Sequence, residues 1–427
     1  MVASPVAPLQ VAMIGSGEYT TGLTANNAKS DKKIGVVGLT LFDLRRRGIV
    51  DKLSIAGTSD KWAQVDEHFA KNITGAYKAS RAFLGEELVP SVLIPCSSRD
   101  PDAYKTAIDA LPKGAAITIF TPDSTHHDIA LYAIQRGIHV LVTKPACQKL
   151  ADHIDLINAA KKAGVFVMVE HHKRFDPSYA DGKFKATLIG APNYFSSYMS
   201  QPKTQLETFK AWAGRDSDIS YYLNSHHIDV HCWYMEGVEG DWAPVKVTAS
   251  GSGGVATSAP FNCVAGTEDT ITLLVEWVSQ KDKTQRCTGV YTSSWTAPIG
   301  AGVHSEQYFH YMAAKGEIRV NQARRGYNVV TDAEGTKDYN PWYMNYAPDG
   351  EGLFQGQHGY GYISIEKFVT ACQRVNAGTV DLEHLDRTLP TIKATVLTGA
   401  ILEAGRRSLD EKRSIEVVHK DGEWGLL

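Results

Sequence analysis

Long apolar runs are missing. No stretch of about 18 apolar residues occurs, so no membrane-spanning helix is expected. The opening residues MVASPVAPLQ carry no basic segment followed by an apolar core, so no secretory leader is expected either. Cysteine is sparse. The six residues (Cys96, Cys147, Cys232, Cys263, Cys287, Cys372) form no C-x-x-C pair and read as reduced thiols of a cytoplasmic protein. Excess charge is absent too: 44 Lys and Arg face 47 Asp and Glu, a net of −3. That balance argues against a nucleic-acid partner, which would need basic surface. His227 and His231 have the i,i+4 spacing that can hold zinc on a helix, but no H-E-x-x-H occurs, and no metal is expected.

What remains is an ordinary globular composition, with 43% hydrophobic and 21% charged residues. A length of 427 residues suggests two domains. The chain is organised around Ile117 to Ala146. An apolar run, Ile117-Thr118-Ile119-Phe120, stops at Thr121-Pro122-Asp123. A helical pattern follows, with Ile129, Tyr132, Ala133 and Ile134 on its apolar side, and Gly137 ends it. A second run, Ile138 to Val142, stops at Thr143-Lys144-Pro145. Strand, helix, strand makes a βαβ unit with parallel strands. Ligands of open parallel sheets bind beyond the carboxyl ends of strands, where Thr121-Pro122 and Lys144-Pro145 sit.

The first strand, Val11 to Ile14, opens into Gly15-Ser16-Gly17-Glu18-Tyr19-Thr20-Thr21-Gly22. A strand running into a glycine loop is how a dinucleotide fold begins. The first glycine permits the tight turn, the second admits the pyrophosphate, and the helix N-terminus offers free N–H groups. The spacing is G-x-G-x(4)-G. Either Thr20 or Thr21 takes the place of the third glycine, or Gly22 does so after a longer turn. Asn26 to Thr40 reads as an insertion in the first crossover, with the helix resuming near Leu41 to Ile49.

Leu53 to Gly57 reads as the second strand. Its end, Gly57-Thr58-Ser59 then Asp60-Lys61, has hydroxyls and a lysine where an NAD site usually carries a carboxylate. Thr58, Ser59 and Lys61 suit a 2′-phosphate, so NADP(H) is expected; the alternative is Asp60 as a ribose ligand. Further on come a helix from Lys61, a strand at Val92 to Ile94, a helix over Asp100 to Leu111, a helix over Leu150 to Ala163 and a strand at Val165 to Val169. Regular alternation of this kind predicts an α/β doubly wound parallel sheet, a Rossmann domain over 1–170.

Four stretches in order carry a family resemblance. They are the glycine loop, Thr121-Pro122-Asp123-x-x-His126, His139 to Pro145 with its Lys144-Pro145, and His171-His172-Lys173-Arg174-Phe175-Asp176-Pro177. Together they resemble the Gfo/Idh/MocA oxidoreductases, densely in the first half of the chain and thinly in the second. The family's Glu-Lys-Pro is here Thr143-Lys144-Pro145, which puts the tuning around the lysine in doubt more than the lysine itself. The resemblance implies that Lys144 lies near the nicotinamide and the reacting carbon, with Thr121, Pro122 and His126 beside the cofactor and His171 toward the substrate.

Beyond Asp176 the strands lengthen and alternate, as in Val245 to Ala249, Thr270 to Trp277 and Gly289 to Trp295. That pattern predicts a large, mainly antiparallel sheet in a domain over 171–427. Gly361 to Ala377 and Leu385 to Gly405 read as closing helices, within 358–407, that can pack back on the first domain. The resemblance implies that this α+β domain binds substrate and mediates a homo-oligomer, a dimer or tetramer. Its chemical stretch is ISYYLNSHHIDVHCW, from Ile219. Family members carry an acid, then His or Tyr four residues later, on one helical face. That alignment gives His226 the proton-transfer role, with Tyr222 in the acid's position and His227 toward the substrate. Lys173, Arg174 and Arg215, the last near Trp212, are cations that could clamp a sugar acid's carboxylate.

The early insertion and the Y-Y-x-N-S-H-H-I-D stretch resemble the fungal D-galacturonate reductases of the family. The expectation is therefore NADPH-dependent reduction of an open-chain uronate aldehyde. The alternatives are oxidation of a neutral sugar or polyol, or a non-catalytic NADP-binding regulator.

Overall fold

The computed structural model describes residues 7–23, 35–58, 62–74, 92–94, 100–333, 335–343 and 358–427. The chain divides into two compact units. The first is Met1–Ala146, Ile154–His172 and Trp342–Ala394; the second is Cys147–His153, Lys173–Pro341 and Thr395–Leu427.

The first unit is built on six parallel strands: β1 (Leu9–Ile14), β2 (Val50–Ala56), β3 (Val92–Ile94), β4 (Ala116–Ile119), β5 (His139–Thr143) and β6 (Val167–Glu170). Their order is β3-β2-β1-β4-β5-β6. Because the winding direction reverses between β1 and β4, a crevice opens beyond their carboxyl ends. Helices on both faces explain the unbroken apolar runs: Val140, Leu141 and Val142 are each 0% exposed. The helix His126–Gln135 buries Ile129, Ala130, Ala133 and Ile134. Tyr132, expected on that face, lies at its edge instead. Its hydroxyl donates to Asp109 and the Arg136 guanidinium sits 3.3 Å over its ring.

The first crossover helix is spliced. A single turn, Glu18–Thr21, ends at Gly22 in the left-handed conformation, and Val37–Arg46 resumes it, earlier than expected. The Tyr19 carbonyl accepts from Val36 N–H at 2.8 Å, so the resumed helix joins directly onto the first turn. Thr20 occupies the third position of the fingerprint. The close-approach glycine is Gly38, on the resumed segment, where a Cβ would lie 2.7 Å from the Thr20 carbonyl oxygen.

Helix Tyr360–Asn376 covers the same sheet. Tyr362 donates to Asp43 at 2.7 Å, Phe368 stacks on Phe166, and Asn376 donates to the Gly114 carbonyl at 2.8 Å. The second closing helix is in fact two, Leu382–Thr388 and Val396–Glu411. Leu389 adopts extended backbone because Pro390 follows, and the helix stops there.

The second unit contains an eight-stranded sheet. Its members are β7 (Pro192–Pro202), β8 (Trp242–Ser252), β9 (Thr270–Ser279), β10 (Arg286–Ala297), β11 (Glu306–Ala313), β12 (Gly316–Asn321), β15 (Ile415–Lys420) and β16 (Glu423–Leu426); β13 (Asn328–Thr331) and β14 (Gly335–Asp338) form a separate ribbon. The sheet order is β12-β11-β7-β10-β9-β8-β15-β16, antiparallel except where β7 meets β10. Alternate residues bury one face: Ile271, Leu273, Val275 and Trp277 of β9 are each 0% exposed while Leu274 is 43% exposed. His231 of helix Ser225–Met235 packs on that buried face, its ring 4.3 Å from Phe195.

Candidate active site

The mouth of the parallel sheet is assembled from five strand ends. At the end of β1, Gly15 has φ +107, and a Cβ there would lie 2.3 Å from the Phe120 carbonyl oxygen. Only glycine fits that turn. A Cβ on Gly17 would meet nothing within 4 Å, so open space lies beside the loop at the start of the helical turn. Absence of a side chain at Gly15, space at Gly17 and the start of a helical turn at Glu18 fit a dinucleotide pyrophosphate. Ser16 lies against Gly57, at the end of β2, where a Cβ would be 2.7 Å from the Ser16 hydroxyl. Thr58 is exposed, and Ser59, Asp60 and Lys61 lie outside the described residues.

At the end of β4, Phe120 stacks on Tyr19 of the glycine loop at 5.1 Å. Thr121 is half-buried and Pro122 exposed, and the Thr125 hydroxyl bonds Thr121 Oγ1 at 2.7 Å. His126, expected beside the cofactor, is 0% exposed. Its Nδ1 lies 2.8 Å from the Pro145 carbonyl and its Nε2 3.0 Å from the Thr121 carbonyl. The ring is wedged between these two backbone carbonyls, so His126 links the β4 loop to the β5 loop. Lys144 is half-buried on the braced β5 loop, before a cis peptide to Pro145. At the end of β6, His171 is 2% exposed. Its neighbour His172 bonds Glu170 at 2.9 Å and stacks on Tyr360.

The second unit holds the other sequence-derived residues. Helical structure begins with a wide turn, Ser220–Asn224, and continues as Ser225–Met235. Asp218 caps its start by accepting from the Tyr221 N–H at 2.8 Å. Burial pushes the Asp218 carboxyl up to about 6, although the Tyr221 N–H and Arg406 pull it down. Tyr222 is half-buried between Phe209 and Trp212, with ring centroids 5.2 Å from each, and accepts from Gln201 Nε2 at 3.3 Å. Trp212 leans on the buried Trp295. His226, one helical turn beyond Tyr222, is 7% exposed.

Three residues expected at the substrate have internal partners. His227 is 0% exposed, its Nε2 2.9 Å from the Tyr179 hydroxyl and its ring parallel to Tyr179. Burial, with Lys173 nearby, holds it well below its ordinary pKa, so it is a neutral core residue. Arg174 donates to both Asp229 oxygens, at 2.9 and 2.7 Å, inside the protein. Lys173 is 2% exposed, donates to the Gln307 amide oxygen and lies over the Tyr179 ring. Each cation has an internal partner, as burial requires. Arg215 is exposed, in the turn after Trp212. His231, which shared the zinc-like spacing, sits in the aromatic core with Nδ1 2.5 Å from the Tyr291 hydroxyl.

Gly38, Gln201 and Asp218 escaped the sequence reading. An acid just ahead of a helical turn is an N-cap signal and could have marked Asp218. Gln201 and Gly38 carried no comparable signal.

Residues 9–171 match a family model described as the Gfo/Idh/MocA oxidoreductase family, NAD-binding Rossmann fold. The scyllo-inositol 2-dehydrogenase (NAD(+)) of Bacillus subtilis is 26% identical over 316 residues, which is 73% of this chain and 82% of that protein. The UDP-N-acetylglucosamine 3-dehydrogenase of Acidithiobacillus ferrooxidans is 30% identical over 36% of this chain and 45% of its own length. Among solved structures, GenD2 from gentamicin A biosynthesis, in complex with NAD, aligns over 97% of both chains with a TM-score of 0.64 and 18% identity. The scyllo-inositol dehydrogenase of Lactobacillus casei, with NAD(H) and scyllo-inositol, covers 96% of this chain and 99% of its own with a TM-score of 0.60 and 16% identity. At such identities the structural likenesses establish the fold.

Proposed function

We propose that this chain, which belongs to the Gfo/Idh/MocA oxidoreductase family through residues 9–171, transfers hydride between NADP(H) and a carbonyl carbon of a sugar, with an open-chain uronate aldehyde as the leading substrate. The observation that carries the reading is the braced pair of strand-end loops. The His126 ring is packed between the Thr121 and Pro145 carbonyls, and Lys144 stands on the loop so fixed.

When bound, the nicotinamide supplies or accepts the hydride. Gly15, Ser16, Gly17, Glu18, Tyr19 and Thr20 would hold the pyrophosphate end, with Thr121 and Pro122 beside the ring. Thr58, Ser59 and Lys61 would recognise a 2′-phosphate. Lys144 polarises the carbonyl oxygen as negative charge develops on it. The family resemblance gives His226 the proton-transfer role, with Tyr222 as the other candidate donor, and assigns His171 and Trp212 to the substrate. Arg215 is the cation left to meet a carboxylate. Homo-oligomerisation is assigned to the exposed face of the large sheet, which carries Leu274, Tyr308 and Met312.

A second reading, oxidation of a neutral sugar or polyol, gains support from the internal pairing of Arg174 and from the inositol dehydrogenases among the relatives. Mixing the purified protein with NADPH or NADH and a panel of uronates, neutral aldoses and inositols, and following the nicotinamide absorbance, decides between them. Turnover with uronates alone supports the first reading. Turnover of neutral sugars or polyols replaces it with the second. Cofactor binding without turnover of any of them would leave a regulator.

A further inference from the structure

A glycine loop binds a pyrophosphate well only when its N–H groups are held in place beforehand. Elsewhere a long helix running straight out of the loop does the holding. Here that helix is a single turn, Glu18–Thr21, before the chain breaks at Gly22. The resumed helix meets this turn at the Tyr19 carbonyl, and a side-chain tie is added to it. The hydroxyl of Tyr19 lies 2.5 Å from the hydroxyl of Tyr343. Tyr343 comes from a segment more than three hundred residues away in sequence, yet in the same compact unit.

Tyr343 is itself fixed on several sides. Its carbonyl accepts from Gly361 N–H at 3.0 Å, and the preceding Trp342 carbonyl accepts from Tyr360 N–H at 2.8 Å, which fastens the segment to the start of helix Tyr360–Asn376. Its ring lies 5.4 Å from His172. His172 bonds the Glu170 carboxylate at 2.9 Å, and Ser364 of the same helix donates to Glu170 at 2.8 Å. On the other side, Tyr19 is clasped against Phe120 by parallel stacking at 14°. The fifth residue of the glycine loop is thus held between a strand end and a distant helix.

We propose that Tyr343 is a positioning residue for the dinucleotide: through the Tyr19 hydroxyl it holds the interrupted glycine loop in the conformation that receives the pyrophosphate. The proposal rests on the reading that this crevice takes NADP(H) or NAD(H).

The test is a fluorescence titration of NADPH and NADH into the full chain as wild type, Tyr19→Phe, Tyr343→Phe and the double variant. Each single variant is expected to bind roughly fivefold more weakly, as for loss of one hydrogen bond. The double variant is expected to be no weaker than the worse single one, because both substitutions remove the same bond. Turnover of Tyr343→Phe at saturating cofactor should stay at the wild-type value. Wild-type affinity in Tyr343→Phe, or losses that add in the double variant, would overturn the proposal. If Tyr343→Phe fails to fold, Tyr19→Phe alone must still lose affinity at an unchanged melting midpoint; wild-type binding there overturns it equally. If the wild type binds neither cofactor, the nucleotide reading falls, and this inference with it.

Discussion

Arg174 grips Asp229 with two nitrogens, at 2.9 and 2.7 Å, and both side chains are almost wholly removed from solvent. Thr398 adds a weaker bond of 3.4 Å to the same carboxylate. Removing one partner strands a buried charge. Arg174→Met is expected to destabilise the protein by about 3–5 kcal/mol. Denaturant unfolding of the variant checks this. A stability equal to wild type would show that the pair carries no structural weight.

Arg215 should behave in the opposite way. Arg215→Ala is expected to leave the melting midpoint unchanged and to raise KM for uronates roughly tenfold, with no change for neutral aldoses. Equal effects on both substrate classes would remove Arg215 from carboxylate recognition.

Lys144→Met should lower kcat/KM by a factor on the order of 100 to 10,000 through loss of oxyanion stabilisation. Cofactor affinity, measured separately by fluorescence, should change far less. Full turnover in this variant would sink the mechanism.

His126→Phe removes both ring-nitrogen contacts that join the β4 and β5 loops. Misplacing Lys144 and Thr121 together should cut kcat by roughly 10- to 100-fold while substrate KM moves little. A kcat equal to wild type would show that the loops hold their places without the brace.

Asp218 is raised to about 6 by burial, above its value in an unfolded chain near 3.9. The folded protein therefore holds the extra proton between those values. Stability from this group is complete below about pH 4 and is lost as pH rises through about 6. Asp218→Asn keeps an acceptor for the Tyr221 N–H but cannot ionise. Its unfolding free energy should vary less across that window than the wild-type value. Identical pH dependence in the two proteins would show that Asp218 does not titrate there.

The parallel sheet was legible because strands buried on both faces are written as unbroken apolar runs, as at Val140 to Val142. The β9 strand was legible for the complementary reason, since Leu273 and Leu274 alternate between inside and outside. Side-chain partners were not legible. Lys173 and Arg174 look like ligand-seeking cations in a string of letters; only folding shows that Gln307 and Asp229 claim them. His227 and His231 shared a spacing suited to metal, but a helix face that meets a sheet of aromatic rings takes histidines into the core. Pro390 ends the helix after Thr388, because a proline pushes the residue before it out of helical geometry.

The separation between the parallel strands and the helix that covers them bears on how the polypeptide is made. All six strands have emerged once Glu170 is synthesised, but Tyr360–Asn376, which stacks Phe368 on Phe166, follows far behind. Until then a growing chain would present Phe166 and the glycine loop without their lids. Such exposed apolar surface is what chaperones bind and what aggregates at high concentration. Ribosome-bound chains halted before Trp342 should therefore be held by chaperones, and those extended past Asn376 released.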